Sequence, residues 1–329
     1  MEQKVLKVGT AVILAALVLR LLGAGLGEFI LSPKAASWML FLQTGRMPRP
    51  GNLVFTDPTQ PTMPPSVPET IPTPTEPVED AIPTFSPEDA AAITVSCGFS
   101  WKADLPALVS QPLAWDLTGA EPTVLILHSH TTESYSGSNY KETSPYHTLD
   151  AHENMISIGS YVADILEAGG ISVIHDTTVH DNPSYDLSYT NSRQTVQKYL
   201  QQYPSIRLVL DLHRDSYEDA AGNQASHTVF SQGEELAPLM FVVGTDYGGL
   251  NHPNWQENLS LALKLQTQLE NLCPGICRNL NLRSQRFNQD LSAGSLLVEV
   301  GASGNTRAQA LNAAQALAQA VLSLAHGSK

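Results

Sequence analysis

Lysine and arginine are missing altogether from Gly51 to Ser100, a stretch that carries seven acidic residues, Asp57, Glu69, Glu76, Glu79, Asp80, Glu88 and Asp89. The same region is crowded with proline: ten of the chain's 22 lie between Pro58 and Pro87. A segment so poor in apolar surface and so uniformly negative cannot offset the entropy of ordering it, and is expected to be an extended, self-repelling linker. The expectation places this linker at residues 34–118, which leaves roughly 200 residues for one well-buried core. No run of clustered Lys and Arg occurs anywhere, and the net charge is −14, which excludes nucleic acid as a partner. Part of that acidity sits in the linker, and charge of this kind speaks to solubility rather than fold. Cysteine is scarce too, with only Cys97, Cys273 and Cys277. Three thiols make no disulfide framework, and Cys273-x-x-x-Cys277 lacks the second half of a zinc knuckle, leaving a bridge between those two open. A Gly-x-Ser-x-Gly elbow is also absent, which argues against a serine nucleophile.

Long apolar runs are confined to the start. Val8 to Leu31 is apolar except for Arg20, Glu28 and a few small residues. About 20 apolar residues span a bilayer as a helix. A central Arg costs about 2.5–3.5 kcal/mol on insertion scales, an amount the surrounding Leu, Ile, Val and Ala outweigh with snorkelling of Arg20. A cleaved signal peptide with Lys4 and Lys7 as its basic start is the competing reading, but no small-x-small site follows the apolar run. Residues 1–33 are therefore expected to be an uncleaved single-pass anchor, with the rest of the chain outside the cytoplasm.

From Thr123 onward strands and helices alternate. Continuous apolar or β-branched runs mark strands at Thr123–Leu127, Ile171–Ile174, Arg207–Leu212, Thr228–Ser231, Leu239–Gly244 and Ser295–Val300. Helical spacing of Met155, Ile158, Val162, Ile165 and Leu166, closed by Gly169–Gly170, marks one helix. Others are expected at Ser192–Tyr203, Asn254–Leu272 and Arg307–Leu324. The pattern predicts an α/β fold over residues 119–329, with a mostly parallel central sheet and helices on both faces. Ligands bind outside the carboxyl ends of such strands, so those ends are the places to inspect.

Three strand ends carry conspicuous polar groups: Leu127-His128-Ser129-His130-Thr131-Thr132-Glu133, Asp211-Leu212-His213-Arg214-Asp215, and Val298-Glu299-Val300-Gly301. Neutral imidazoles with a carboxylate suit Zn²⁺, and a catalytic zinc keeps a fourth position open for water. His130-x-x-Glu133 is a compact pair, and the crossover would bring His213 nearby. Glu299 lies within an apolar strand, a costly place for an unpaired carboxylate, which is explained if it moves a proton to and from water. His128 and His130 would face the same side of an extended segment, so the residues alone do not choose between them.

At these positions the chain resembles the stage II sporulation protein P family. The resemblance rests on VLILHSHTTESY (Val124–Tyr135), the run Ile158–Asp181, SYTNSRQTV (Ser188–Val196), LVLDLHRDS (Leu208–Ser216), FVVGTDYGG (Phe241–Gly249) and LLVEVGASGNT (Leu296–Thr306), in order along the chain. It implies a zinc-dependent N-acetylmuramoyl-L-alanine amidase with accompanying endopeptidase activity, acting on septal peptidoglycan during forespore engulfment. It also implies the lytic transglycosylase stage II sporulation protein D and the membrane protein stage II sporulation protein M as partners. Carried onto this chain, the family pattern makes His130, Glu133 and His213 the zinc ligands and Glu299 the catalytic base. Asp150, Glu153 and His128 are alternates for the ligand set, and Arg214 and Asp215 would support the ligands or orient the substrate, the Asp holding an imidazole or an Arg in place. Two other readings stand beside it: a zinc carboxypeptidase or endopeptidase of the cell wall, and a non-catalytic wall-binding scaffold at the septum.

Overall fold

A computed structural model of the chain describes residues 83–138, 145–218 and 222–327. The expected anchor at residues 1–33, and the linker up to residue 82, lie outside the described residues. The described residues all belong to one compact unit, which runs from Glu76 to Lys329. Among the described residues no helix is long and apolar enough to cross a membrane.

Short apolar runs build the strands of one seven-stranded sheet: β1 (Val95–Cys97), β2 (Val124–Leu127), β3 (Val173–His175), β4 (Leu208–Asp215), β7 (Leu239–Gly244), β8 (Leu280–Arg283) and β9 (Ser295–Ala302). Their order is β1-β8-β7-β9-β4-β2-β3. Every neighbouring pair is parallel except β7 with β9. The sheet is thus two parallel blocks, β9-β4-β2-β3 and β7-β8-β1, running in opposite directions and joined at one antiparallel seam. The expected mostly parallel sheet is present, but no feature of the apolar runs signalled the reversal. Two further short strands, β5 (Val229–Ser231) and β6 (Glu234–Leu236), pair with each other in a separate hairpin. The run Thr228–Ser231 therefore stays out of the main sheet.

One face of the sheet is covered by α1 (Leu105–Ser110), α2 (Met155–Ala168), α4 (Trp255–Leu272) and α5 (Arg307–Ser323). Alternate strand residues, among them Ile126, Leu210, Val298 and Phe241, meet Val162, Leu263 and Leu317 there in one continuous core. Each fully buried Leu or Ile contributes about 1.5–3 kcal/mol. Sequence chemistry sets the ends of these helices. The Asn154 side chain accepts from the Ile156 amide to start α2, and Thr306 with Gln309 forms a reciprocal capping box at α5. Gly170, at φ +87, supplies the left-handed residue just past α2. Among the described residues the opposite face carries one α-helix, α3 (Ser188–Gln202), whose Val196, Tyr199 and Leu200 pack on Leu125, Leu127 and Val209. That helix covers the β2 and β4 side only, so the layer stops partway across the sheet.

The folded part begins well before the expected boundary at residue 119. Composition made residues 34–118 a linker, yet β1 is an edge strand of the sheet and α1 packs on α4. Phe85, Leu108, Val109 and Leu117 are buried. Asp104 caps α1 by accepting from the Ala107 amide. Lys264 on α4, itself buried, donates to the Leu108 carbonyl at 3.1 Å and lies over the Phe85 ring. Apart from Phe85, these apolar residues lie beyond the proline-rich stretch that ends at Pro87, which is why the composition averaged over the whole segment concealed them. Cys97, Cys273 and Cys277 are free thiols.

Candidate active site

The layer of α3 ends where β4, β9 and β7 lie side by side. His213 of β4 is in register with Glu299 of β9, and Glu299 with Met240 of β7. Register partners point to the same face, here the one α3 leaves bare, so His213 and Glu299 share the floor of a cavity of about 520 Å³. His130 and Glu133 enter from the turn after β2, and Tyr185 and Tyr189 stand over the floor from the start of α3.

The turn after β2 separates the two candidate histidines. The strand ends at Leu127, so His128 and His130 do not alternate along an extended segment as expected. His128 is fully buried against α2: its Nδ1 donates to the Leu212 carbonyl at 3.0 Å, and its Nε2 lies 3.0 Å from His175 Nε2. Both ring nitrogens are used, and burial, followed by the neighbouring His175, lowers its pKa to about 3. Gly159 makes room for this pair, because a Cβ there would stand 2.5 Å from both Nε2 atoms. His130, by contrast, reaches the cavity and stacks on Tyr185 at 4.1 Å between ring centres and 5° between planes. Its ring lies 5.2 Å from that of His213. Thr131 holds the turn by donating to the His128 and Thr178 carbonyls, and Asp181 accepts from the Thr132 amide and hydroxyl.

Charge is concentrated around His213. Its Nε2 lies 2.9 Å from Asp211 Oδ1, and its Nδ1 lies 3.4 Å from Glu133 Oε2. Burial alone would lower the pKa of this imidazole, but the two carboxylates outweigh it and hold the group well above the ordinary value. Burial would likewise raise Glu133, yet Arg214 and His213 bring its carboxyl down to about 2. Arg214 donates its backbone amide to Glu133 Oε2 at 3.1 Å and its guanidinium to the Ser134 and Tyr146 carbonyls. Glu299 goes the other way: burial pushes its carboxyl up to about 8, with His213 opposing and Glu133 adding to the rise.

Asp211 is the functional residue that the sequence reading missed. It accepts from the Ser129 amide at 2.7 Å and the Ser129 hydroxyl at 2.5 Å, tying the turn after β2 to β4 while flanking His213. The signal was present, since residues two apart on a strand face the same side. Asp215, expected to hold an imidazole or an Arg in place, pairs with Arg278 at 2.6 Å at the cavity edge. His147 also reaches the cavity; its Nδ1 lies 3.1 Å from Thr132 Oγ1 and its Nε2 3.3 Å from Arg214. Asp150 and Glu153 lie in the turn before α2 and do not line the cavity. Asp150 is exposed and accepts from the His152 amide at 2.9 Å.

Two imidazoles and a carboxylate are the donor set that zinc takes. Two buried polar atoms here lack a hydrogen-bond partner, His130 Nδ1 and Glu299 Oε2, while His213 Nε2 stands 2.9 Å from Asp211 Oδ1. Buried polar groups are nearly always satisfied, so two orphans at one cavity mark a place built for something to bind. In kind the residues fit zinc. Among the described residues, however, no three His, Cys, Asp or Glu side chains already stand as a metal-holding group. Glu133 is turned to Arg214 and His213 instead.

The profile of the family described as Stage II sporulation protein P (SpoIIP) matches residues 73–322. Stage II sporulation protein P of Bacillus subtilis (strain 168) is 28% identical over 212 residues, covering 61% of this chain and 50% of that protein. The chain therefore spans about half the length of that curated relative. Among solved structures, N-acetylmuramoyl-L-alanine amidase AmiC2 of Nostoc punctiforme shares 15% identity over 62% of this chain and 97% of its own, with a TM-score of 0.39. The Ami1 amidase of Mycobacterium abscessus shares 14% identity over 61% and 97%, with a TM-score of 0.37. Likeness at this level assigns no role to any residue here.

Proposed function

The chain belongs to the stage II sporulation protein P family, and from that premise we propose that it is a membrane-anchored peptidoglycan hydrolase of sporulating cells, cleaving the amide between N-acetylmuramic acid and L-alanine. The observation that carries the reading is the convergence of His130, His213 and Glu299 on one cavity, with a buried polar atom of His130 and one of Glu299 left unsatisfied. His130, Glu133 and His213 would hold Zn²⁺, with Glu133 swinging from Arg214 to do so. When bound, the ion supplies Lewis acidity to the amide carbonyl oxygen.

The chain's own residues supply the rest. Glu299 takes a proton from the attacking water and returns it to the leaving amine. Burial raises that carboxyl's affinity for a proton, which suits it to hold and hand on the proton, and a cation bound beside it would favour the ionised form that takes the proton from water. Asp211 orients His213 from behind and, through Ser129, fixes the turn that presents His130. Tyr185 and Tyr189 pack on the His130 ring and limit its freedom.

Digestion of purified sacculi, followed by mass analysis of the products, tests the proposal. Intact stem peptides freed from glycan are expected. Shortened or uncrosslinked stems still attached to sugar would make the enzyme a peptidase. Undiminished digestion by both Glu299→Gln and His213→Ala would refute the catalytic assignment and leave the scaffold reading. Metal analysis should find near-stoichiometric zinc, and a chelator should abolish activity; failure of both sinks the metal part.

A further inference from the structure

Among the described residues no α-helix covers the site's face of the half of the sheet beyond the seam. Along β7, β8 and β1 the residues pointing that way are Met240 and Val242, then Asn281 and Arg283, then Ser96, as the strand registers require. Asn281 and Arg283 lie two apart on β8 and both line the cavity that holds His130 and Glu299. Neither side chain has a hydrogen-bond or ion-pair partner among the described residues, and Arg283 is exposed. Arg278, the other cation on this face, is engaged by Asp215 at 2.6 Å. Met240 and Val242 are buried, with Tyr189 and Phe287 packed against their cluster, so the polar shelf with its one unneutralised guanidinium is Asn281 and Arg283 on the far side of them, still within the same cavity.

The side of Glu299 on which this shelf lies decides what would occupy it. Whatever carboxyl returns the proton must touch the leaving amine, so the half of the substrate bearing that amine sits on the Glu299 side. The opposite side is walled by His130 and Tyr185. If the amidase reading holds, the leaving half is the stem peptide. It is also the half with ionised carboxylates, because the muramic acid carboxyl is consumed in the amide. We propose that the shelf is the binding site for the acidic stem peptide, with Arg283 pairing with a carboxylate well down the stem and Asn281 meeting its backbone.

Sheet geometry sets how far down. Arg283 is two strands from Glu299, about 10 Å across at the usual spacing. It is also offset by four residues along the strand, about 13 Å, since it pairs with Gly244 whereas Glu299 pairs with Met240. The Cα atoms are then about 16 Å apart, which the long Arg side chain shortens. At about 3.3–3.6 Å per extended residue, the carboxylate belongs to the third or fourth residue of the stem. A dipeptide stem cannot reach it.

The test measures binding of free stem peptides to the full chain, which needs no activity. A four-residue stem carrying its carboxylates is compared with its first two residues, on wild type and on Arg283→Gln, Arg283→Glu and Arg283→Lys. Because Arg283 is exposed and unpaired, the variants should melt with wild type. The Gln variant should weaken tetrapeptide binding about tenfold, as expected on losing a hydrogen bond to a charged group, and leave dipeptide binding unchanged. The Glu variant should be weaker still and the Lys variant intermediate. Equal tetrapeptide binding by wild type and Arg283→Gln, or equal losses for both peptides, would overturn the proposal, as would no tetrapeptide binding to wild type. Release of stem peptides from sacculi by wild type is scored separately, so loss of the shelf and loss of the amidase reading are distinguishable.

Discussion

Replacing Glu299 by Gln should make the metal-free protein more stable while removing its activity. The Glu299 carboxyl titrates at about 8 in the fold against an ordinary value of 4.5, because burial disfavours the charged form. A raised folded value means that the group's contribution is fully favourable below pH 4.5 and is lost as pH climbs towards 8. At pH 7 the gap that has opened is about 2.5 pKa units, or roughly 3 kcal/mol at 1.36 kcal/mol per unit. Glu299 is only half-buried, which trims this to about 2–3 kcal/mol. The isosteric amide carries no charge to bury, so Glu299→Gln should recover that amount at pH 7 and nothing near pH 4. For a unit of this size the gain is roughly 5–10 °C in melting temperature. Thermal unfolding of both proteins with chelator, at pH 4 and pH 7, reads it directly. A Gln variant no more stable than wild type at pH 7, or stabilised equally at both, would refute the account of Glu299 as a carboxyl held against its solvation preference.

Other consequences follow from the same contacts. Gly159→Ala should destabilise the fold by about 1–3 kcal/mol, the usual cost of overpacking, because its Cβ would press on His128 and His175; a chemical denaturation midpoint unchanged from wild type would contradict the packing described. Asp211→Asn should lower zinc affinity about 10–100-fold with a matching fall in peptide release, since it loses the charge flanking His213; metal titration with unchanged affinity would show that Asp211 is only a fold residue.

Much of this architecture was legible in the residues. Val124–Leu127 and Leu239–Gly244 are apolar runs too short for helices, and the spacing from Met155 to Leu166 suits only a helix buried on one side. β1 and β8 were not legible: each is three or four residues long, and β1 follows a proline-rich stretch whose composition masked it. Strand direction was hidden too, because Leu239–Gly244 reads the same whether parallel or antiparallel. At the site, Glu299 stood out because a carboxylate amid Leu, Val and Val requires a reason. His128 could be separated from His130 only by the turn that ends β2, which depends on Asp211 and Asp181 far along the chain. Tyr185 and His147 come from connecting segments, where neither periodicity nor spacing indicates what they face.

The segment that was expected to be linker has a mechanical consequence. Trp115 Nε1 donates to the Leu324 carbonyl at 2.8 Å, and the Leu117 amide to Ala325 at 2.7 Å, so the chain's way into the fold is clasped to its last helix. A tug on the chain ahead of Pro83 would be met first by buried Phe85 and Ala90, then by β1, an edge strand, and by this clasp. His213 and Glu299 sit on β4 and β9, three to four strands inward from β1. Tension arriving from that side can peel the rim of the sheet before it disturbs the geometry of the cavity.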